Sequence, residues 1–218
     1  MPRISLIHAT PVSLNPVADA FANLWPEATT TNLLDDSLSA DLKEAGTLDS
    51  RMTDRFLTLG RYASETGADA ILFTCSAFGP SIEAVASDLR PKPVLKPNEA
   101  MFEEAAGKGA RVGMLVTFQP SIAPMEAEFR AMAEASGNAI SLESVLAEGA
   151  MDALLDGDAD LHNRLIADAA PQLAGCDVIM LAQFSMAQAR PLVETAVDVP
   201  VLTSPESAVI KLRSILTP

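Results

Sequence analysis

Gly67-Ala68-Asp69-Ala70-Ile71-Leu72-Phe73-Thr74-Cys75 returns at an offset of 108 residues as Gly175-Cys176-Asp177-Val178-Ile179-Met180-Leu181-Ala182-Gln183. Each copy runs from a turn glycine through an aspartate into a short apolar stretch of strand length. At the same offset Arg3-Ile4-Ser5-Leu6-Ile7 meets Arg111-Val112-Gly113-Met114-Leu115, Ser13 meets Ser121 and Pro16 meets Pro124. Pro93-Val94-Leu95 matches Pro200-Val201-Leu202 at an offset one residue shorter. The chain is read as two related halves. They differ at the residue that matters most for chemistry, a cysteine in the first and a glutamine in the second.

Working outward, the strand-like runs are Ile4–His8, Thr29–Leu34, Ala70–Thr74 and Pro93–Leu95, then Val112–Thr117, Ala139–Val145, Val178–Ala182 and Val199–Leu202. Between them Met52, Phe56, Leu59 and Ala63, then Ile122, Met125, Phe129 and Met132, then Leu161, Leu165, Ala169 and Leu173, recur at the three- and four-residue steps of amphipathic helices. Strands alternating with helices predict an α/β fold of two pseudo-symmetric, doubly wound domains, each with about four parallel strands and with an active-site cleft between them. The expected division is residues 1–97 plus 204–218 for the half carrying Cys75, and 98–203 for the half carrying Gln183. Asn98–Lys108 is expected to cross between the domains. The polar stretch Asp35–Asp49 is longer than an ordinary α/β loop and reads as a lid or a solvated loop.

The 218 residues are 49% apolar, ample for two cores, and carry a net charge of −14. That charge argues against nucleic acid and anionic membranes as partners. No apolar run is long enough to span a bilayer, and no signal segment precedes the first strand. Cys75 follows its strand and Cys176 precedes its own, so no disulfide is expected and a reducing cytoplasm fits best. With two histidines and two cysteines no metal site is expected. No glycine-rich phosphate loop is present, so no nucleotide cofactor is expected.

Ligands of open α/β sheets bind beyond the carboxyl ends of the strands. Those ends carry His8, Asp35-Asp36-Ser37, Thr74-Cys75-Ser76 and Lys96, then Thr117-Phe118, Glu148-Gly149 and Gln183-Phe184-Ser185. Cys75 is the candidate catalytic residue. It lies between a buried strand and a helix expected to begin between Ala77 and Ser81, whose N–H groups would stabilise a thiolate and lower its pKa. His8 ends the first strand and titrates in a useful range, as a second acid or a structural histidine. His162, beside Asn163 and Arg164 in a predicted helix, reads as a surface residue. Phe78, Phe118, Phe184 and Met186 are candidates for an apolar pocket, or for core.

The runs Ile71-Leu72-Phe73-Thr74-Cys75-Ser76-Ala77, Gly113-Met114-Leu115-Val116-Thr117 and Val178-Ile179-Met180-Leu181-Ala182-Gln183 resemble three motifs of the aspartate/glutamate/hydantoin racemase superfamily, which includes maleate isomerase and arylmalonate decarboxylase. The resemblance implies a cofactor-independent, often homodimeric enzyme acting on a carbon next to a carboxylate or carbonyl of a small acid. Racemases of this family place a cysteine on each face of that carbon. Here the second position is Gln183, whose amide neither takes nor gives a proton at neutral pH, so its implied role is substrate binding. Thr74, Ser76, Thr117, Phe118, Ser185 and Lys96 complete the expected substrate-binding set. A lone thiol also resembles the decarboxylase branch, although that branch keeps its cysteine in the second half. Racemisation or isomerisation, single-cysteine decarboxylation or tautomerisation, cysteine-nucleophile hydrolysis and a catalytically silent binding protein all stay open.

Overall fold

A computed structural model describes residues 1–137 and 139–217. In chain order its elements are β1 (Arg3–His8), α1 (Leu14–Leu24), β2 (Thr29–Leu34), α2 (Ser37–Ala45), α3 (Ser50–Glu65), β3 (Ala70–Phe73), α4 (Gly79–Asp88), β4 (Val94–Leu95) and α5 (Glu99–Ala106). There follow β5 (Arg111–Val116), α6 (Ile122–Ser136), β6 (Ser141–Leu146), α7 (Ala150–Leu155), α8 (Ala159–Ala169), β7 (Val178–Leu181), α9 (Arg190–Ala196), β8 (Val201–Thr203) and α10 (Ser204–Leu216). Short 3-10 turns link several of them. The strands form two four-stranded parallel sheets of identical topology, β2-β1-β3-β4 and β6-β5-β7-β8.

The internal repeat has a physical cause at the base of each sheet. Asp69 accepts from the Arg3 N–H at 2.7 Å through its carboxylate, and Asp177 accepts from the Arg111 N–H at 2.9 Å in the same way. Each carboxylate thus pins the start of one central strand to the start of its neighbour. Registers follow: Ile4 pairs with Ala70, and Val112 with Val178. The hydrogen bonds from Arg111, led by its backbone N–H, hold the Asp177 carboxyl below the usual carboxylate range. Gly109 permits this clasp, because a Cβ there would stand 2.3 Å from the Asp177 Cβ.

Two compact units emerge, Met1–Pro97 with Ala208–Pro218, and Asn98–Ser207, so the division falls inside α10. In the first, Ile7, Ile71 and Phe73 of the sheet pack with Leu38, Met52, Phe56, Ile82 and Val85 of the helices. In the second, one sheet face packs with Met125 and Phe129 of α6, and the other with Ile166 and Ala169 of α8. Asp49 caps α3 by accepting from the Met52 N–H at 2.8 Å, and Asp158 caps α8 by accepting from the Leu161 N–H at 2.8 Å.

Two local expectations are corrected. The stretch Asp35–Asp49 is not a loop but holds the helix α2, which Gly46 ends in the left-handed region at φ 71°. Leu38 is fully buried, Leu42 packs beside it, and Arg55 of α3 clasps Asp35 at 2.6 Å and also pairs with Asp41. His162 is not on the surface but fully buried, its Nδ1 donating to the Ala150 carbonyl at 2.7 Å. The buried stripe of α8 runs through His162, Ile166 and Ala169, one residue round from the Leu161 and Leu165 stripe expected; Leu161 is exposed. No described helix is long and apolar enough to cross a membrane.

Candidate active site

The carboxyl ends of β1, β2 and β3 lie along one edge of the first sheet, because the strands are parallel. Cys75 follows β3 in extended conformation (φ −121°, ψ 119°) and enters a 3-10 turn, Ser76–Phe78, before α4 begins at Gly79 with Pro80 in its first turn. By strand alternation Cys75 shares a face with Ile71 and Phe73, and it packs against the same core cluster. A small pocket lined by Ile7, His8, Ala9, Leu38, Phe56, Phe73 and Cys75 is too tight to hold water. Cys75 as a residue is half-buried.

These surroundings reverse one expectation. The Cys75 thiol is pushed up from its ordinary value, not down, because apolar burial outweighs hydrogen bonds from the Ala77 N–H and the Ser39 side chain. The helix that was to lower it starts only at Gly79, with a tight turn in between, so one backbone N–H reaches the sulfur where a helix terminus would offer several. Ser39 was missed in the sequence because it lies on α2, read there as loop. Its hydroxyl donates to the Ala9 carbonyl at 3.1 Å and also bears on the Cys75 sulfur. The Leu38-x3-Leu42 spacing was the signal that could have found that helix.

Thr74 points to the opposite sheet face. Its hydroxyl lies 2.9 Å from His8 Nδ1 and 2.9 Å from Ser13 Oγ, while His8 Nε2 meets Asn32 Oδ1 at 2.9 Å. His8 is fully buried, and desolvation holds its imidazole below the usual histidine value, against the pull of the Asn32 hydrogen bond. With the proton on Nε2, facing the Asn32 oxygen, Nδ1 accepts from the Thr74 hydroxyl, while Ser13 Oγ, whose own proton goes to the Thr10 carbonyl, packs 3.0 Å from the ring nitrogen. Neither nitrogen is left to serve a substrate, so the expected substrate-facing donor is a neutral residue that ties three strands together. Ser76 is half-buried in the turn, and Lys96, after β4, pairs with Glu83 at 2.8 Å.

In the second unit Thr117 follows β5 and Gln183 follows β7. The Gln183 amide is bonded to Thr117 and to Ser121. Phe118 is exposed, whereas Phe184, Ser185 and Met186 are buried in a 3-10 turn. Phe78 is likewise fully buried, so of the four apolar pocket candidates Phe118 alone meets solvent. Cys176 is buried before β7, and burial pushes its thiol up as well. Both cysteines are free. Among the described residues no three His, Cys, Asp or Glu side chains gather as metal ligands would.

The sequence profile of a family described as Asp/Glu/Hydantoin racemase matches residues 14–212. A search of curated proteins finds no significant match. Among solved structures, glutamate racemase from Francisella tularensis in complex with D-glutamate superposes with a TM-score of 0.73 at 13% identity, covering 99% of this chain and 81% of that one. Picrophilus torridus aspartate racemase gives 0.74 at 11% identity, covering 99% and 94%. Allantoin racemase from Pseudomonas fluorescens gives 0.70 at 16% identity, covering 98% and 90%. At these identities the likeness is one of fold.

Proposed function

We propose, since the chain belongs to the Asp/Glu/hydantoin racemase family, that it is a racemase/isomerase-like enzyme in which Cys75 transfers a proton at a carbon next to the carboxylate or carbonyl of a small acid. The observation that carries this reading is the placement of Cys75: partly exposed at the carboxyl end of a central strand, with the Ala77 N–H and Ser39 bearing on its sulfur. An elevated thiol pKa means the sulfur rests protonated at neutral pH, poised to donate. In the donating step the S–H proton moves to the carbanionic carbon, and the enolate π pair becomes the new C–H bond. The sulfur keeps the S–H electrons as a thiolate, which the Ala77 N–H stabilises, joined by Ser39 when its hydroxyl turns from the Ala9 carbonyl to the sulfur. The reverse step returns the proton from carbon to sulfur and regenerates the enolate.

Racemisation further requires that the planar intermediate gain a proton on its other face. Gln183 cannot supply one, and its amide is already held by Thr117 and Ser121. That observation favours a second reading, a single-thiol decarboxylase or tautomerase, which needs delivery from one face only. We also place the protein in a reducing compartment such as the cytoplasm, where two free thiols persist.

Incubation in deuterium oxide with a panel of amino acids, hydantoins and substituted malonates, followed by proton NMR and polarimetry, tests the proposal. Deuterium entry with loss of optical activity is the outcome expected of a racemase. Carbon dioxide release with one deuterated enantiomer is the outcome of the second reading. Absence of exchange throughout the panel by folded protein contradicts both.

A further inference from the structure

Gln183 is engaged through both ends of its amide. Its Oε1 accepts from the Thr117 N–H at 3.0 Å and lies 3.4 Å from Thr117 Oγ1. Its Nε2 donates to Ser121 Oγ at 3.0 Å, and the Ser121 hydroxyl donates its proton to the Phe118 carbonyl at 2.7 Å. Chemistry fixes the amide orientation, since a backbone N–H can only donate and the oxygen must therefore face Thr117. Around the amide stand two donors on one side and an acceptor on the other. A primary carboxamide matches that arrangement. A carboxylate does not, because its second oxygen would meet a Ser121 lone pair while the only Ser121 proton is committed to Phe118.

The first unit shares the backbone frame without this arrangement. Ser13, the counterpart of Ser121, likewise donates to a carbonyl three residues back, that of Thr10 at 3.2 Å. Its remaining bonds go to His8 and Thr74, and Cys75 and Ala9 stand where Gln183 and Thr117 stand in the second unit. The complementarity to an amide therefore belongs to the second unit's own substitutions, not to the repeat.

We infer that the second unit contains a carboxamide-binding pocket, built from Thr117 and Ser121, that the chain fills with its own Gln183 side chain. Gln183 is half-buried, so truncating it opens the pocket to solvent. The ligands that fit the vacated space are primary amides of the size of acetamide.

The test reads binding, not turnover, and so succeeds or fails independently of any role for Cys75. In Gln183→Ala the Thr117 amide resonance is expected to move saturably with added acetamide, back towards its wild-type position, while the wild-type resonance stays still. Acetate is expected to bind about tenfold more weakly, the scale of one unmatched polar contact. The double variant Gln183→Ala/Ser121→Ala, which lacks the acceptor, should lose that preference. Gln183→Glu gives a check that needs no cavity. A protonated glutamic acid offers the same acceptor and donor as the amide, so its folded-state pKa should be raised. Stability should then be present at low pH and be lost as pH rises through that value. A Thr117 resonance indifferent to acetamide, equal binding of acetate, or a Gln183→Glu variant whose stability ignores pH in this range would each overturn the inference.

Discussion

Turnover in Cys75→Ala is expected to fall by about 10²–10⁴-fold, the usual contribution of a positioned proton-transfer group, with little change in stability. The small stability effect follows from the half-buried position: truncating one sulfur at the rim of a core leaves Phe56, Phe73 and Phe78 packed as before. Cys75→Ser should be as inactive as the alanine variant. A hydroxyl holds its proton far more tightly than a thiol, and the apolar wall around this site makes the charged form harder still to reach. Cys176→Ala supplies the control. That thiol is buried at the opposite end of its strand, so its loss should leave turnover unchanged. Steady-state kinetics on the three variants, with circular dichroism to confirm folding, checks the set.

Phe56→Ala is expected to destabilise the protein by about 3–5 kcal/mol, as large-to-small changes of buried aromatic residues do. Phe56 is 2% exposed on α3, with ring centroids 5.3 Å from Phe73 and 4.8 Å from Phe78. Phe73 is the last residue of β3 and Phe78 the last of the turn after Cys75, so one ring supports both sides of the bend that carries Cys75. Its removal leaves a void that Leu38 and Met52 cannot collapse to fill without moving α2 and α3. Urea unfolding should show a lower midpoint with an unchanged slope. A midpoint shift worth less than about 1 kcal/mol would mean that this aromatic cluster does not hold the site.

Much of the architecture was legible because the repeat is written in apolar runs. Each of the eight strands falls within a residue or two of a run read from the sequence, and the aspartate after the turn glycine in each copy proved to be the clasp that sets the register. Cys75 stood out by position, at the end of an apolar strand and before a proline-marked helix. What escaped detection depended on tertiary packing. Serines and aspartates hid α2, although Leu38 and Leu42 carry its apolar face, and with α2 went Ser39. His162 was placed outside because its neighbours Asn163 and Arg164 are polar; the Ala150 carbonyl that receives its proton comes from another element. The direction of the Cys75 shift turned on how much apolar surface surrounds the sulfur and on a 3-10 turn in place of a helix start, neither of which spacing reveals.

Proton donation by Cys75 requires a thiol that is reachable from solvent and carries its proton at rest. Alkylation of native protein by iodoacetamide across pH, with the modified residue identified by mass spectrometry, measures both properties at once. The predicted result is selective labelling of Cys75 over Cys176, with a rate that climbs through an inflection above the ordinary thiol value, and further above it in Ser39→Ala. An inflection near or below neutrality, or a Cys75 that stays unlabelled until the protein unfolds, would contradict the account.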